Sequence, residues 1–140
     1  MAHGPKPRSY EKKMPRKMRR AALRSALSAK AKSGDIRVLE SVEMDRPRTK
    51  TMKVMMDHLV ERDSALLLLA EHDENVEKSV RNLVDIKALH ANYLNIRDLL
   101  SYEKVVMPLA ALELLNGFLG DESDFAWEFA DDIAGDGEEE

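Results

Sequence analysis

Apolar residues change period along this chain. Met18, Ala22, Ala26 and Ala29 recur at helical spacing, Pro15 suits a first helical turn because its missing N–H would be unpaired there anyway, and Gly34 supplies a C-cap. Residues 36–42 (IRVLESV) then read as a strand, with Ile36, Val38 and the aliphatic stem of Glu40 on one side and Leu39 on the other. Thr49 is placed to cap a helix whose inner face is Met52, Met55, Met56, Leu59 and Val60. Residues 64–70 (SALLLLA) are a continuous apolar run of strand length, as expected of a parallel strand covered on both faces and central to its sheet. His72, Asp73, Glu74 and Asn75 bring acids to the positive end of a third helix with Val76, Val80 and Leu83 inside. Residues 85–89 form a short strand, Asn95 precedes a brief helix through Leu99 and Leu100, and residues 104–107 form the last strand. Pro108 opens a helix with Leu109, Leu112, Leu115 and Leu119 on one side.

The order αβαβαβαβα predicts an α/β fold, a three-layer sandwich around a mostly parallel sheet of about four strands with right-handed crossovers. That domain occupies residues 15–119. Residues 1–14, with Gly4, Pro5 and Pro7 among charges, read as a basic extended arm, and residues 120–140 as an acidic tail in which Phe125, Phe129 and Ile133 share one face of a short amphipathic helix.

Charge changes this picture from a generic α/β domain to a polarised one. The 140 residues carry a net charge of −4, but residues 1–50 hold 15 Lys and Arg against 5 acids, while residues 120–140 hold 10 acids and no base. Between residues 4 and 32 there are 11 cations, Lys6, Arg8, Lys12, Lys13, Arg16, Lys17, Arg19, Arg20, Arg24, Lys30 and Lys32, against Glu11 alone. Lys13, Lys17, Arg20 and Arg24 follow one another at helical spacing as a stripe apart from the apolar one. Guanidinium groups suit bidentate phosphate contacts, and an extended arm with Tyr10 can track an RNA groove and stack on a base. The pattern therefore points to nucleic-acid binding.

Other chemistries find less support. There is no cysteine, which excludes a disulfide framework and thiolate catalysis. The longest apolar run, residues 65–70, is far below the roughly 20 residues of a membrane span, so no membrane partner is expected. The strand-to-helix junctions read MDRPRTK, AEHDENV and ALHANYLN, without the glycine-rich turn that lets backbone N–H groups approach a phosphate. His72, Asp73 and Glu74 read as helix-start residues rather than metal ligands, His58 and His90 as isolated, and no Ser, His and Asp constellation is recognisable. The expectation is a protein that is not an enzyme and has no cofactor, no metal and no catalytic residue.

The same basic residues carry a family resemblance. GPKPRSY followed by KMPRKMRRAALRSALSAKA resembles the start of the C-terminal half of the large-subunit ribosomal protein L-four family in its bacterial and organellar form. RPRTKTM, DENVEKSVRNL, YLNIRDLL and YEKVVMPLAALELL resemble later segments of that family in the same order, so the likeness covers about residues 4–119. The resemblance implies an α/β domain bound to large-subunit ribosomal RNA, beside neighbouring large-subunit proteins, and acting in subunit assembly. Location follows: the ribosome, in the cytoplasm of a bacterium or in a plastid or mitochondrion. It implies rRNA contacts for Lys6, Pro7, Arg8, Tyr10, Lys13, Arg16, Lys17, Arg19, Arg20 and Arg24, with Lys12 beside them. Arg46, Arg48, Thr49, Lys50, Arg81 and Asn82 match secondary motif positions.

Two departures accompany the likeness. The family places a first strand, a helix and a long tunnel-reaching basic loop before GPKPR, so the expectation here is a chain that does not form the tunnel constriction unless a separate polypeptide supplies that half. The acidic tail is the other, a departure from most bacterial members, though plastid versions are similar in ending with acidic extensions. A free RNA-binding or regulatory protein, acting on leader RNA or docking a partner through Phe125, Trp127 and Phe129, is the alternative reading.

Overall fold

The computed structural model describes residues 2–120. Its elements run α1 (Arg16–Ser33), β1 (Ile36–Leu39), α2 (Thr49–Val60), β2 (Ala65–Leu69), α3 (Glu74–Val80), β3 (Ile86–His90), a 3-10 turn (Ala91–Tyr93), α4 (Ile96–Ser101), β4 (Lys104–Pro108) and α5 (Leu109–Leu119). The four strands pair in the order β1-β4-β2-β3, all parallel. The α/β class, the parallel sheet and the helix–strand alternation thus follow the sequence pattern. The acidic tail and its aromatic residues lie outside the described residues.

Every residue of β2 is buried, which requires cover on both faces. On one face Leu66 and Leu68 join Val105 and Met107 of β4 in a core completed by Leu23 of α1, Leu99 of α4, and Ala111, Leu115 and Leu119 of α5. On the other face Ala65, Leu67, Leu69 and Val106 pack with Met52, Met56 and Val60 of α2 and Val76 and Val80 of α3. Three layers result: α1, α4 and α5 on one side of the sheet, α2 and α3 on the other.

Several boundaries move for identifiable reasons. Pro15 and Arg48, rather than a first helical residue and Thr49, occupy the N-cap positions of α1 and α2. The first strand stops at Leu39 instead of continuing to residue 42, because β1 is an edge strand and its register against β4 ends at Pro108. Edge position also leaves Val38 exposed, while Ile36 and Leu39 reach opposite cores. β3 is displaced by one residue to end at His90. In α5 the inward face is set by Ala111, Leu115 and Leu119, and Leu109 at the start of the helix is exposed.

The inner face of α1 also differs from the expected one. Met18 is exposed, as is Ala29; Leu23 is the buried residue, and Ala26 and Leu27 pack beside it. A run of alanines barely discriminates between helix faces, so the two leucines decide which side meets the core. Gly34 ends the helix at φ 77°, its N–H donating to the Ala31 carbonyl and the Asp35 N–H to the Lys30 carbonyl.

A polar network locks α4 to the sheet. Asn95 Oδ1 accepts from the Asp98 N–H at 2.8 Å, and the buried Asp98 carboxylate accepts from Lys87 Nζ at 2.8 and 2.9 Å and from Asn95 Nδ2 at 2.8 Å. The Lys87 hydrogen bonds hold the Asp98 carboxyl below the usual carboxylate range, against the opposing effect of burial. A depressed folded-state pKa stabilises the fold above the unfolded-state value and is lost as pH falls through the folded value. Asp98→Asn is therefore expected to lower stability by about 1.5–3 kcal/mol near neutral pH. The urea midpoints of variant and parent should converge progressively below about pH 4, which a pH series of urea melts checks directly.

Candidate nucleic-acid interface

Residues 4–15 contain no helix or strand and are exposed, and Arg8 lays its guanidinium over the Tyr10 ring at 4.7 Å. Lys6, Arg8, Lys12 and Lys13 thus precede α1 as an exposed cationic lead, with Tyr10 presenting most of its surface to solvent.

The helix that follows is 18 residues long, about 27 Å at the standard rise. The strands beneath it have 4 or 5 residues, about 13–17 Å. Only Gly34 and Asp35 separate α1 from β1, so the helix runs back across the sheet and must outreach it. The burial pattern agrees: residues 16–21 are all exposed, and contact with the core begins around Leu23. Lys30 pins the other end by donating to the carbonyls of Tyr102 at 2.8 Å and Glu103 at 2.6 Å, just before β4.

The overhanging end of α1 is electrostatically one-sided. Its first turn contains no acid, Pro15 offers no side-chain cap, and Arg16, Lys17 and Arg19 stand where the helix dipole is already positive. Cations there destabilise an isolated helix by a few tenths of a kcal/mol each, roughly. An anion placed at that end reverses the sign of the interaction, which makes it a natural seat for phosphate.

Arg24 parts company with the stripe in which its spacing placed it. It is half-buried, its Nε is removed from solvent, and it lines an apolar groove between α1 and α5 with Leu27, Ile36, Leu112, Leu115 and Leu119. Its side chain borders that groove, whereas Arg16, Lys17, Arg19 and Arg20 are exposed.

The secondary basic positions form a separate group. The Arg48 N–H donates to Ser79 Oγ at 2.9 Å, and Asn75 Nδ2 donates to the Met44 carbonyl at 2.9 Å, so the loop carrying Arg46 and Arg48 is tied to α3. Lys50 begins the adjoining α2, and Arg81 follows the last turn of α3; all four side chains are exposed, as is Asn82, while Thr49 is half-buried. Since α2 and α3 cover the opposite side of the sheet from α1, the basic residues divide into two groups, one on each outer layer.

The crevice at the C-terminal ends of the strands, where open α/β sheets often receive nucleotides, has the opposite polarity. It is bordered by Glu40, Glu43, Glu71, Asp73 and Glu74, and no glycine lies at a strand-to-helix junction among the described residues. Asp73 Oδ1 accepts from the N–H groups of Asn75 at 2.9 Å and Val76 at 3.2 Å, so two of the donors at the α3 N-terminus are already used by the protein. Such a crevice repels a nucleotide phosphate.

The expectation that His90 stands isolated is corrected. The adjacent ends of β2 and β3 bring it to His72, and Glu77 of α3 completes the group. Sequence spacing gives no hint of this, since the residues are 18 apart and meet only through the parallel register. No helix among the described residues is long and apolar enough to cross a membrane.

The pattern of the ribosomal protein L4/L1 family matches residues 1–118. Among known proteins, the chain is similar to large ribosomal subunit protein uL4 of Pelotomaculum thermopropionicum, with 52% identity over 104 residues that cover 74% of this chain and 50% of that protein. It is 47% identical to uL4 of Desulforamulus reducens over 104 residues, 74% of this chain and 50% of that protein. With uL4 of Thermoanaerobacter sp. strain X514 it shares 42% identity over 112 residues, 80% of this chain and 54% of that protein. The chain spans about half the length of these curated relatives.

The division between Arg24 and its neighbours is testable by stability alone. Arg24→Glu sets a carboxylate against Leu27, Leu112 and Leu115 and is expected to destabilise by about 1–3 kcal/mol. Arg20→Glu, on the solvent side, should stay within about 0.5 kcal/mol of the parent in the same urea melts.

Proposed function

Because the chain belongs to the ribosomal protein L4/L1 family, we propose that it is a structural component of the large ribosomal subunit. It binds ribosomal RNA and supports subunit assembly, with no catalytic role. The observation that carries this reading is the overhanging first half of α1, exposed, acid-free and without a side-chain cap, with the cationic lead directly before it. A helix end assembled in this way has an unfavourable field until a polyanion occupies it.

Lys6, Arg8, Lys12, Lys13, Arg16, Lys17, Arg19 and Arg20 neutralise phosphates in this proposal, and Tyr10 stacks on an unpaired base. Arg24 braces the helix that presents them. Arg46, Arg48, Lys50 and Arg81 engage a second RNA segment from the far layer, so that the α/β body acts as a rigid wedge between two stretches of rRNA. Neighbouring large-subunit proteins meet the remaining surface. The ribosome is the proposed location.

Counterion release makes such binding steeply salt-dependent, with a log–log slope of about −0.7 to −0.9 per neutralised phosphate. Replacing Arg16, Arg19 and Arg20 together by Glu should weaken binding to a large-subunit rRNA fragment and make the slope shallower by about two to three, with the urea midpoint nearly unchanged. Reversing Arg46, Arg48 and Lys50 should weaken it independently, the two sets adding within roughly 0.5 kcal/mol because they lie on opposite layers. An affinity and slope indifferent to the α1 set would defeat the assignment of that interface.

Location has its own measurement. Tagged protein expressed in a bacterial host or in its source cells should co-sediment with large subunits in a sucrose gradient. Recovery only at the top of the gradient, with intact subunits below, would remove the ribosomal assignment.

A further inference from the structure

His72, Glu77 and His90 come from the turn after β2, from α3 and from the last position of β3. Leu69 and His90 are register partners in the parallel β2–β3 pair, and His72 follows Leu69 by three residues, so the two imidazoles lie side by side at the C-terminal end of these strands. Their ring centroids are 6.3 Å apart with planes inclined by 19°. Glu77 Oε1 lies 2.8 Å from His72 Nδ1.

From this convergence we propose a binding site for a divalent transition cation, of the Zn2+ type, held by the two imidazoles and the Glu77 carboxylate. One ligating atom from each residue lies within 4.8 Å of the other two. Any three points so spaced share a position no more than about 2.8 Å from each, roughly 0.7 Å beyond a zinc–nitrogen or zinc–oxygen bond.

The surroundings favour a fixed site over a chance encounter. Asp73 caps α3 and sets the rotation of the helix that carries Glu77. Tyr93 stands edge-on to His90, with centroids 6.3 Å apart and planes at 89°, and buttresses that ring. Lys78, next to Glu77 on α3, is directed to Glu74 in an ion pair, so part of its charge is neutralised locally. A simple His72–Glu77 ion pair accounts for two of the three residues; it gives no reason for a half-buried second imidazole at the same point.

The donor set decides the class of ion. Two imidazoles with one carboxylate suit Zn2+, Co2+, Ni2+ or Cu2+, whereas Mg2+ and Ca2+ prefer oxygen ligands throughout. The exposed side chain of His72 leaves the fourth position open to water. Metal there would clamp the β2–α3 turn to the end of β3, on the layer opposite α1 and in the groove that Arg81 also lines, and its binding is measured without RNA.

Titration of the full chain with Co2+ and with Zn2+, in excess Mg2+ to occupy carboxylate-only positions in the acid-rich residues 121–140, tests the proposal. The expected result is one saturable equivalent, visible d–d absorption of low-symmetry Co2+ that Zn2+ displaces, and a raised thermal midpoint. His72→Ala removes an exposed side chain with one surface ion pair, so it should shift the metal-free midpoint little. It should also weaken the site by at least the 10–100-fold that loss of even an outer-shell partner costs, approximately. Glu77→Gln and His90→Asn should weaken it likewise, while His3→Ala and His58→Ala should not. Absence of saturable one-equivalent binding, or affinity unchanged in His72→Ala and His90→Asn, overturns the proposal.

Discussion

The burial of β2 on both of its faces is the constraint on which the rest of the molecule depends. A strand reading Ala-Leu-Leu-Leu-Leu has no side that tolerates water, and its position between β3 and β4 gives its backbone ladder partners on both edges. Two helical layers are then obligatory. α1, α4 and α5 cover Leu66 and Leu68, and α2 and α3 cover Ala65, Leu67 and Leu69. Everything displayed to a partner is displayed from one layer or the other.

That layering converts a charge asymmetry along the chain into an arrangement in space. The cations of α1 project beyond the sheet because the helix is longer than the strands it crosses. Those of the β1–α2 loop, α2 and α3 face away from the opposite layer, and the crevice at the C-terminal ends of the strands is edged with carboxylates. The two basic groups are therefore separated by the thickness of the sandwich.

Much of this was legible beforehand. Periodicity located the helices and strands, because burial on one helix face or both sheet faces leaves a repeat that survives without coordinates. The density of Lys and Arg before residue 33, and the ordered family motifs from GPKPRSY to YEKVVMPLAALELL, identified the basic segment and the family. The sequence is least legible where side chains discriminate least. The alanines of α1 suggested a face that Leu23 and Leu27 overrule, and Leu109 fits the heptad-like spacing of α5 yet sits at the exposed start of the helix.

What the sequence determined by itself, then, was the order of elements, the need for a doubly covered strand, the family and the presence of a dense cationic segment, since each is a property of neighbouring residues or of composition. Only the tertiary structure decided that Arg24 falls where α1 is packed while Arg20 falls on its overhang, that Arg48 and Arg81 belong to a different surface from Arg16, and that His72 meets His90. Those facts depend on how far a helix extends past the sheet, on which side of the sheet it packs and on which strands lie side by side. All three are set by long-range packing of side chains far apart in the chain, and a local pattern does not carry that information.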